Sequence, residues 1–208
     1  MKQAMIFAAG LGTRLRPLTD TMPKALVRVG GEPLLHRVIM NLKSAGFERI
    51  VVNVHHFAEQ IIDYLKTNDN FGLDIRISDE SDALLDTGGG IRKAAPLFDP
   101  SSPILIHNVD ILHNVDLATF YESAISHDAT LMVSKRQTSR YLIFNDDMRL
   151  RAWINIKTGE VRPPHPPGGG LTDAQDSPPL GGGGASLCFL RTSCILTAIV
   201  PIDGRVAR

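Results

Sequence analysis

The sequence predicts an α/β protein, built on a mostly parallel β-sheet flanked by helices. Three observations carry that prediction. Short apolar runs rich in β-branched residues alternate with amphipathic helical segments up to about residue 135. Glycine-rich or polar stretches stand at the carboxyl ends of several of these runs, where open parallel sheets gather their ligands. The chain has 208 residues, 43% hydrophobic and 21% charged, which suits one full-sized soluble domain.

The first element, "AMIFAAG" at residues 4–10, reads as a buried strand ending in glycine. In "PLLHRVIMNLKSAG", Leu34, Leu35, Val38, Ile39 and Leu42 recur at helical spacing; Pro33 suits a first turn and Gly46 an exit. "RIVVNV" is a β-branched strand, "AEQIIDYLKTN" a second amphipathic helix and "LDIRIS" an alternating strand. "GGGIRKAAPLF" opens on glycines and continues as a short helix. "PILIHNVD" is an apolar strand ending in polar groups, and Asp116 is placed to cap the helix of "DLATFYESAISH". "ATLMVSK" and "YLIFND" read as strands, and "RLRAWINIKTGEV" as a hairpin turning near Thr158-Gly159. The architecture expected is Rossmann-like over residues 1 to about 135.

Charge narrows the partners. Lys plus Arg and Asp plus Glu number 22 each, so the net charge gives no general attraction for nucleic acid or an anionic membrane. Cys188 and Cys194 make neither a zinc site nor a disulfide framework, so reduced thiols are expected. The N-terminal apolar run is short for a signal core, and "CILTAIVPI" falls well below a membrane span. A cytoplasmic protein is expected.

Local charge says more. Residues 6–26, "IFAAGLGTRLRPLTDTMPKAL", leave an apolar run through two alanines and a glycine, then place Arg14, Arg16 and Lys24 in one loop. Glycine lets backbone amides approach a ligand closely, and successive amides form a concave anion site. A guanidinium that forks onto phosphate oxygens and a lysine acting as a point charge complete equipment for a polyphosphate. The spacing is not that of a dinucleotide loop, because Leu15 stands where the third glycine would be, and no P-loop is present.

"AAGLGTRLRPLTDTMPKAL" closely resembles the signature of the sugar-1-phosphate nucleotidyltransferases, from Ala8 to Leu26. "DALLDTGGGIRKA" looks like the family's second glycine segment and "ILIHNVDIL" like its metal-binding strand end, with Val109 where the family usually has glycine. The resemblance covers about residues 1–160 and is nearest to the short bacterial members, the N-acetylmuramate-1-phosphate uridylyltransferases and mannose-1-phosphate guanylyltransferases among them. It implies the nucleotide-diphospho-sugar transferase type of fold. It also implies transfer of a nucleoside monophosphate from a nucleoside triphosphate to a sugar 1-phosphate, with release of pyrophosphate. By the same resemblance Gly10, Gly12 and Thr13 hold the triphosphate, Ala8 and Ala9 also bind the nucleotide, and Arg14 neutralises the leaving pyrophosphate. Lys24 meets the α-phosphate or the sugar phosphate, Gly88 lets the base lie against backbone, Asn108 sits beside the ribose, and Asp110 holds Mg²⁺.

Each residue also has a plainer role. Arg14 and Lys24 are otherwise solvated loop cations, Arg16 a partner for Asp20, and Asp110 a cap for the next helix or turn. Asp79, Glu80 and Asp82 read as a solvated acidic loop; Asp86 and Thr87 sit inside the second glycine segment. His55 and His56 lack a third ligand at metal spacing, and Trp153 reads as packing.

The pattern breaks at residue 163. Six prolines and seven glycines crowd residues 163–186, and the sequence beyond, "LCFLRTSCILTAIVPIDGRVAR", has no clean period. The division expected is a nucleotidyltransferase domain over 1–160 and an atypical tail over 161–208, truncated, frame-shifted or divergent, loosely packed and without the strand pairing of a sheet. A second metal-binding acid is missing from its familiar setting; Asp203 is the only late acid followed directly by glycine. The alternative to an active transferase is a non-catalytic nucleotide-binding remnant. A lesser one is a cytidylyl- or guanylyltransferase with a non-sugar acceptor.

Overall fold

The computed structural model describes residues 1–125, 129–133, 137–163, 188–190 and 197–200. In chain order the strands and helices are β1 (Lys2–Phe7), β2 (Arg28–Val29), β3 (Glu32–Pro33), α1 (Leu34–Ser44), β4 (Phe47–Val54), α2 (Ala58–Thr67), β5 (Asp74–Asp79), α3 (Thr87–Ala94), β6 (Ile104–Asn108), α4 (Leu117–Ala124), β7 (Thr130–Leu131), β8 (Arg140–Phe144), β9 (Leu150–Asn155), β10 (Glu160–Arg162), β11 (Cys188–Leu190) and β12 (Thr197–Val200). They fall into two compact units, the first built on Met1–Leu131 with β12, the second beginning at Met132.

The first unit is a sheet of order β5-β4-β1-β6-β12-β7. β5, β4, β1 and β6 run parallel, and β12 lies antiparallel between β6 and β7. Alternation along the strands sends successive side chains to opposite faces. Ala4 and Ile6 of β1, Ile50 and Val52 of β4 and Leu105 of β6 pack with Leu35, Ile39 and Leu42 of α1. Met5, Val51, Ile104 and Ile106 pack on the other face with Ala94 and Phe98. Helices therefore cover both faces, as the alternating periodicity predicted.

Helix signals fall close to where the sequence put them. The five apolar residues named in α1 are its buried stripe, and Gly46 follows the helix at φ 80°. Pro33 sits one position earlier than expected, in the capping residue, because it also pairs with Arg28 across β2 and β3. Asp116 caps α4: its Oδ1 accepts from the amides of Ala118 at 3.0 Å and Thr119 at 3.1 Å.

The loop after β6 is held by two histidines. The Val115 amide donates to His113 Nδ1 at 3.2 Å, the His113 and His107 Nε2 atoms lie 2.8 Å apart, and His107 Nδ1 lies 2.7 Å from the Asn108 carbonyl. The carbonyl can only accept, so His107 carries its proton on Nδ1 and accepts from His113 through Nε2. Every bond of the chain is satisfied only while both rings are neutral. Burial pushes His107 down to about 4, and His113 is pushed down by burial as well. Between that value and the ordinary 6.5, the unfolded chain binds a proton that the folded chain refuses. Stability is thus expected to be full above about pH 6.5 and to fall towards pH 4, by up to about 3 kcal/mol from His107 alone. Thermal melts across this range check it, and a midpoint that does not move between pH 7 and 5 would refute it.

The second unit is an antiparallel sheet, β10-β9-β8-β11. β9 and β10 form the expected hairpin, with Gly159 at φ 72° in its turn. The Arg162 guanidinium stands 5.3 Å from the Trp153 ring, consistent with packing for that ring.

Two pieces of the late chain depart from the expectation. β11 pairs with β8 and β12 with β6 and β7, so both supply the sheet pairing denied to this region. The composition that argued against pairing belongs to residues 163–186, and both strands lie beyond it. Residues 164–187, 191–196 and 201–208, Asp203 among them, lie outside the described residues.

Candidate functional site

A cleft of ≈ 260 Å³ opens where β1, β4, β5 and β6 end. Each strand delivers part of its wall. Phe7, Ala8, Ala9 and Gly10 come from the end of β1, Asn53 from β4, and Glu80 from just past β5. Leu84, Asp86 and Thr87 lead into α3, and Asn108, Val109 and Asp110 leave β6. Lys24 reaches in from the turn Lys24–Leu26.

Of the residues singled out in the sequence, Ala8, Ala9, Gly10, Lys24, Asn108 and Asp110 thus line one cleft, with Asp86 and Thr87. Gly12, Thr13 and Arg14 stand in the loop beside it, and Gly88 in the first turn of α3, outside the lining itself. Gly12 holds φ 64° and packs tightly: a Cβ there would stand 2.9 Å from Thr19 Cγ2 and 3.1 Å from Lys24 Cβ. The buried Thr19 hydroxyl donates to the Gly12 carbonyl at 2.9 Å, which pins the loop over Lys24.

The loop cations have separate fates. Lys24 Nζ donates to Asp110 Oδ2 in an ion pair whose side chains are 25% and 42% exposed. Arg16 pairs with Asp20 at 3.3 Å, the plainer of its two readings. Arg14 is exposed and makes no ion pair among the described residues. Val109, where the resemblance would put glycine, turns inward: it is buried in the core and its amide donates to the Phe7 carbonyl at 3.2 Å.

Two residues of the wall were not singled out correctly. Asn53 is buried, and its Oδ1 accepts from the Ala8 amide at 2.7 Å and the Ala9 amide at 3.3 Å. The amides of Gly10, Leu11 and Gly12 form no hydrogen bond among the described residues. The available signal was an asparagine inside a β-branched strand, since a buried carboxamide needs partners. Glu80 corrects the reading of a solvated acidic loop: it is 1% exposed, while Asp79 and Asp82 are exposed. The solvated part does hold for Asp79, whose carboxyl is kept below the usual range by bonds from Ser81.

His55 and His56 do not line the cleft. His55 Nδ1 lies 2.7 Å from the Glu80 carbonyl, and His56 is exposed against Phe57. Among the described residues no three His, Cys, Asp or Glu side chains group as a metal cage. The cleft offers hard carboxylate oxygens at Asp110 and Asp86 and the Lys24 ammonium, with the loop amides and Arg14 beside it.

A family model described as nucleotidyl transferase matches residues 3–144. The chain is 43% identical over 124 residues to an N-acetylmuramate alpha-1-phosphate uridylyltransferase of Neisseria meningitidis serogroup B, covering 60% of this chain and 53% of that protein. It is 46% identical over 111 residues to the protein of the same name from Caulobacter vibrioides, covering 52% and 46%. The chain thus spans about half the length of the curated relatives it matches. The crystal structure of HddC from Yersinia pseudotuberculosis complexed with GMP-PN superposes with a TM-score of 0.71 at 21% identity, over 100% of this chain and 80% of that one, a likeness of fold.

Proposed function

Because the chain belongs to the nucleotidyl transferase family, we propose that it transfers a nucleoside monophosphate from a nucleoside triphosphate to a sugar 1-phosphate, giving a nucleoside-diphosphate sugar and pyrophosphate. The names of its relatives support the acceptor class. The observation that carries the reading is the Lys24–Asp110 pair, set in a cleft whose rim is the glycine loop and whose far wall leads into α3. Residues 1–160 are proposed as the catalytic domain and 161–208 as its tail.

The acceptor's phosphate oxygen attacks the α-phosphorus in line, a new P–O bond forms, and the bond to the departing pyrophosphate breaks. Such chemistry is mostly positioning and charge stabilisation. The amides of Gly10 and Gly12, with Thr13 at the start of a turn, receive the triphosphate after Ala8 and Ala9. Arg14 meets charge growing on pyrophosphate. Lys24 exchanges Asp110 for a phosphate oxygen. Asn108 faces the ribose, and Gly88 leaves room for the base, since nothing lies within 4 Å of where its Cβ would be.

The residues fit Mg²⁺ held jointly with substrate: one half-exposed carboxylate, Asp110, suits an ion that takes one or two carboxylates and completes its shell with phosphate and water. When bound, the ion supplies charge neutralisation on phosphate oxygens. A cytoplasmic setting without nucleic acid or membrane partners belongs to the same proposal; no helix among the described residues is long and apolar enough to cross a membrane.

The test is pyrophosphate release with the four ribonucleoside triphosphates and thymidine triphosphate against a panel of sugar 1-phosphates. Triphosphate binding without turnover on any acceptor would identify a remnant. Two glycines of α3 separate binding from folding. A Cβ at Gly90 would stand 2.8 Å from Glu80 Oε1 and 3.3 Å from Phe7 Cε1, both in packed surroundings. Gly90→Ala is expected to cost about 1–3 kcal/mol of stability. Gly88→Ala is expected to leave the melting midpoint in place and raise KM for the triphosphate. Equal midpoints for the two variants would contradict this.

A further inference from the structure

We propose that the buried Asn53–Glu80 pair is a positioning relay that locks the first ligand loop to the segment entering α3, and so sets the register in which the triphosphate is received; this rests on the function proposed above. Asn53 is 2% and Glu80 1% exposed. The Asn53 carboxamide is oriented at both ends. Its oxygen accepts the Ala8 and Ala9 amides, and its Nδ2 donates to Glu80 Oε1 at 2.9 Å. Glu80 Oε2 accepts from the Leu85 amide at 3.2 Å. Turned over, the carboxamide would set a donor against two donors and an acceptor against a carboxylate. The main chain of Glu80 is held too, its amide donating to the Val54 carbonyl at 2.7 Å and its carbonyl accepting from Ala83 at 3.1 Å.

One chain of bonds therefore runs from the amides that open the glycine loop, through two side chains, to the residue where the chain turns into α3. Gly90 closes over it, since any Cβ there would meet Glu80 Oε1 and stand 3.4 Å from Asn53 Nδ2. A buried carboxylate served by neutral donors stabilises a fold less than apolar packing would. What it adds is a single allowed arrangement of the two loops.

The polarity of the relay makes it testable by exchange. N53D sets a second carboxylate oxygen against Glu80. E80Q sets an amide donor against either Asn53 Nδ2 or the Leu85 amide. N53D/E80Q together restore every bond and the net charge with the polarity reversed: the carboxylate at 53 accepts both loop amides and the new amide N–H, and the carbonyl at 80 accepts from Leu85. The full chain is titrated with UTP, GTP, CTP, ATP and thymidine triphosphate in Mg²⁺, at a temperature where melting curves show every variant folded. Hydrogen exchange is followed over residues 6–10 and 83–88. Each single variant is expected to weaken the tightest triphosphate about tenfold or more and to lose protection in both segments. The double variant is expected to return to within about threefold of wild type with protection regained, a reversal that loss of packing would not produce. If N53D alone does not fold, E80Q against the double variant carries the comparison. A double variant as weak as E80Q, or single variants that bind like wild type, would overturn the relay. If exchange follows the cycle while no chain, wild type included, binds a triphosphate, the functional reading fails and the hold on the two loops stands.

Discussion

Lys24→Ala is expected to lower kcat/KM for the triphosphate by about 10²–10³-fold, the usual loss when a preorganised charge-stabilising donor is removed. The ammonium already faces the cleft, held by Asp110 beneath the loop that Thr19 pins. Its removal takes away a positive charge at the phosphates and frees Asp110 to repel them, so both changes act in the same direction. Stability should hardly move. The pair is partly exposed, and such pairs contribute about 0–1 kcal/mol, a shift of no more than about 2–4 °C in a chain of this size. Pyrophosphate release under subsaturating triphosphate, beside a melting curve, checks both parts. A variant that keeps its rate, or one that loses rate only by unfolding, would remove Lys24 from the chemistry.

Arg14→Ala is expected to cost on the order of 3 kcal/mol in transition-state stabilisation, about 10²-fold in kcat/KM, with no change of fold. Arg16 is engaged by Asp20 and Lys24 by Asp110, whereas Arg14 pairs with no carboxylate among the described residues. Arg14→Lys should recover only part of the rate, because a point charge does not reproduce a two-pronged contact. The same steady-state assay decides it, and an unchanged rate in Arg14→Ala would end the assignment.

Much of the first sheet was legible because its information is local. Near-continuous apolar runs in "AMIF", "RIVVNV" and "ILIH" mark strands buried on both faces, and the helices between them carry their own stripes and caps. The cleft was legible to the extent that its residues are neighbours in the chain: Ala8 to Gly10, then Lys24, and Asn108 with Asp110. What escaped was set by pairing across the chain. Glu80 looks solvated beside Asp79 and Ser81, and only the fold places Asn53 Nδ2 and the Leu85 amide around its carboxylate. β12 escaped for a related reason. A four-residue strand has too few residues to show a period, and its partners on β6 lie some 90 positions earlier.

That late strand has a consequence for the order in which the molecule is made. The parallel core of β5, β4, β1 and β6 can assemble from the first 108 residues, whereas β12 is supplied only once residue 200 has been synthesised. Until then the outer edge of β6 presents unpaired amides and carbonyls, and β7 lacks its neighbour in the sheet. A growing or prematurely stopped chain therefore carries an open sheet edge, which can take up a strand from another molecule. β12 covers the open edge of β6, leaving β5 and β7 as the edges of the described sheet, and a chain stopped before it is expected to aggregate more readily than one that has it.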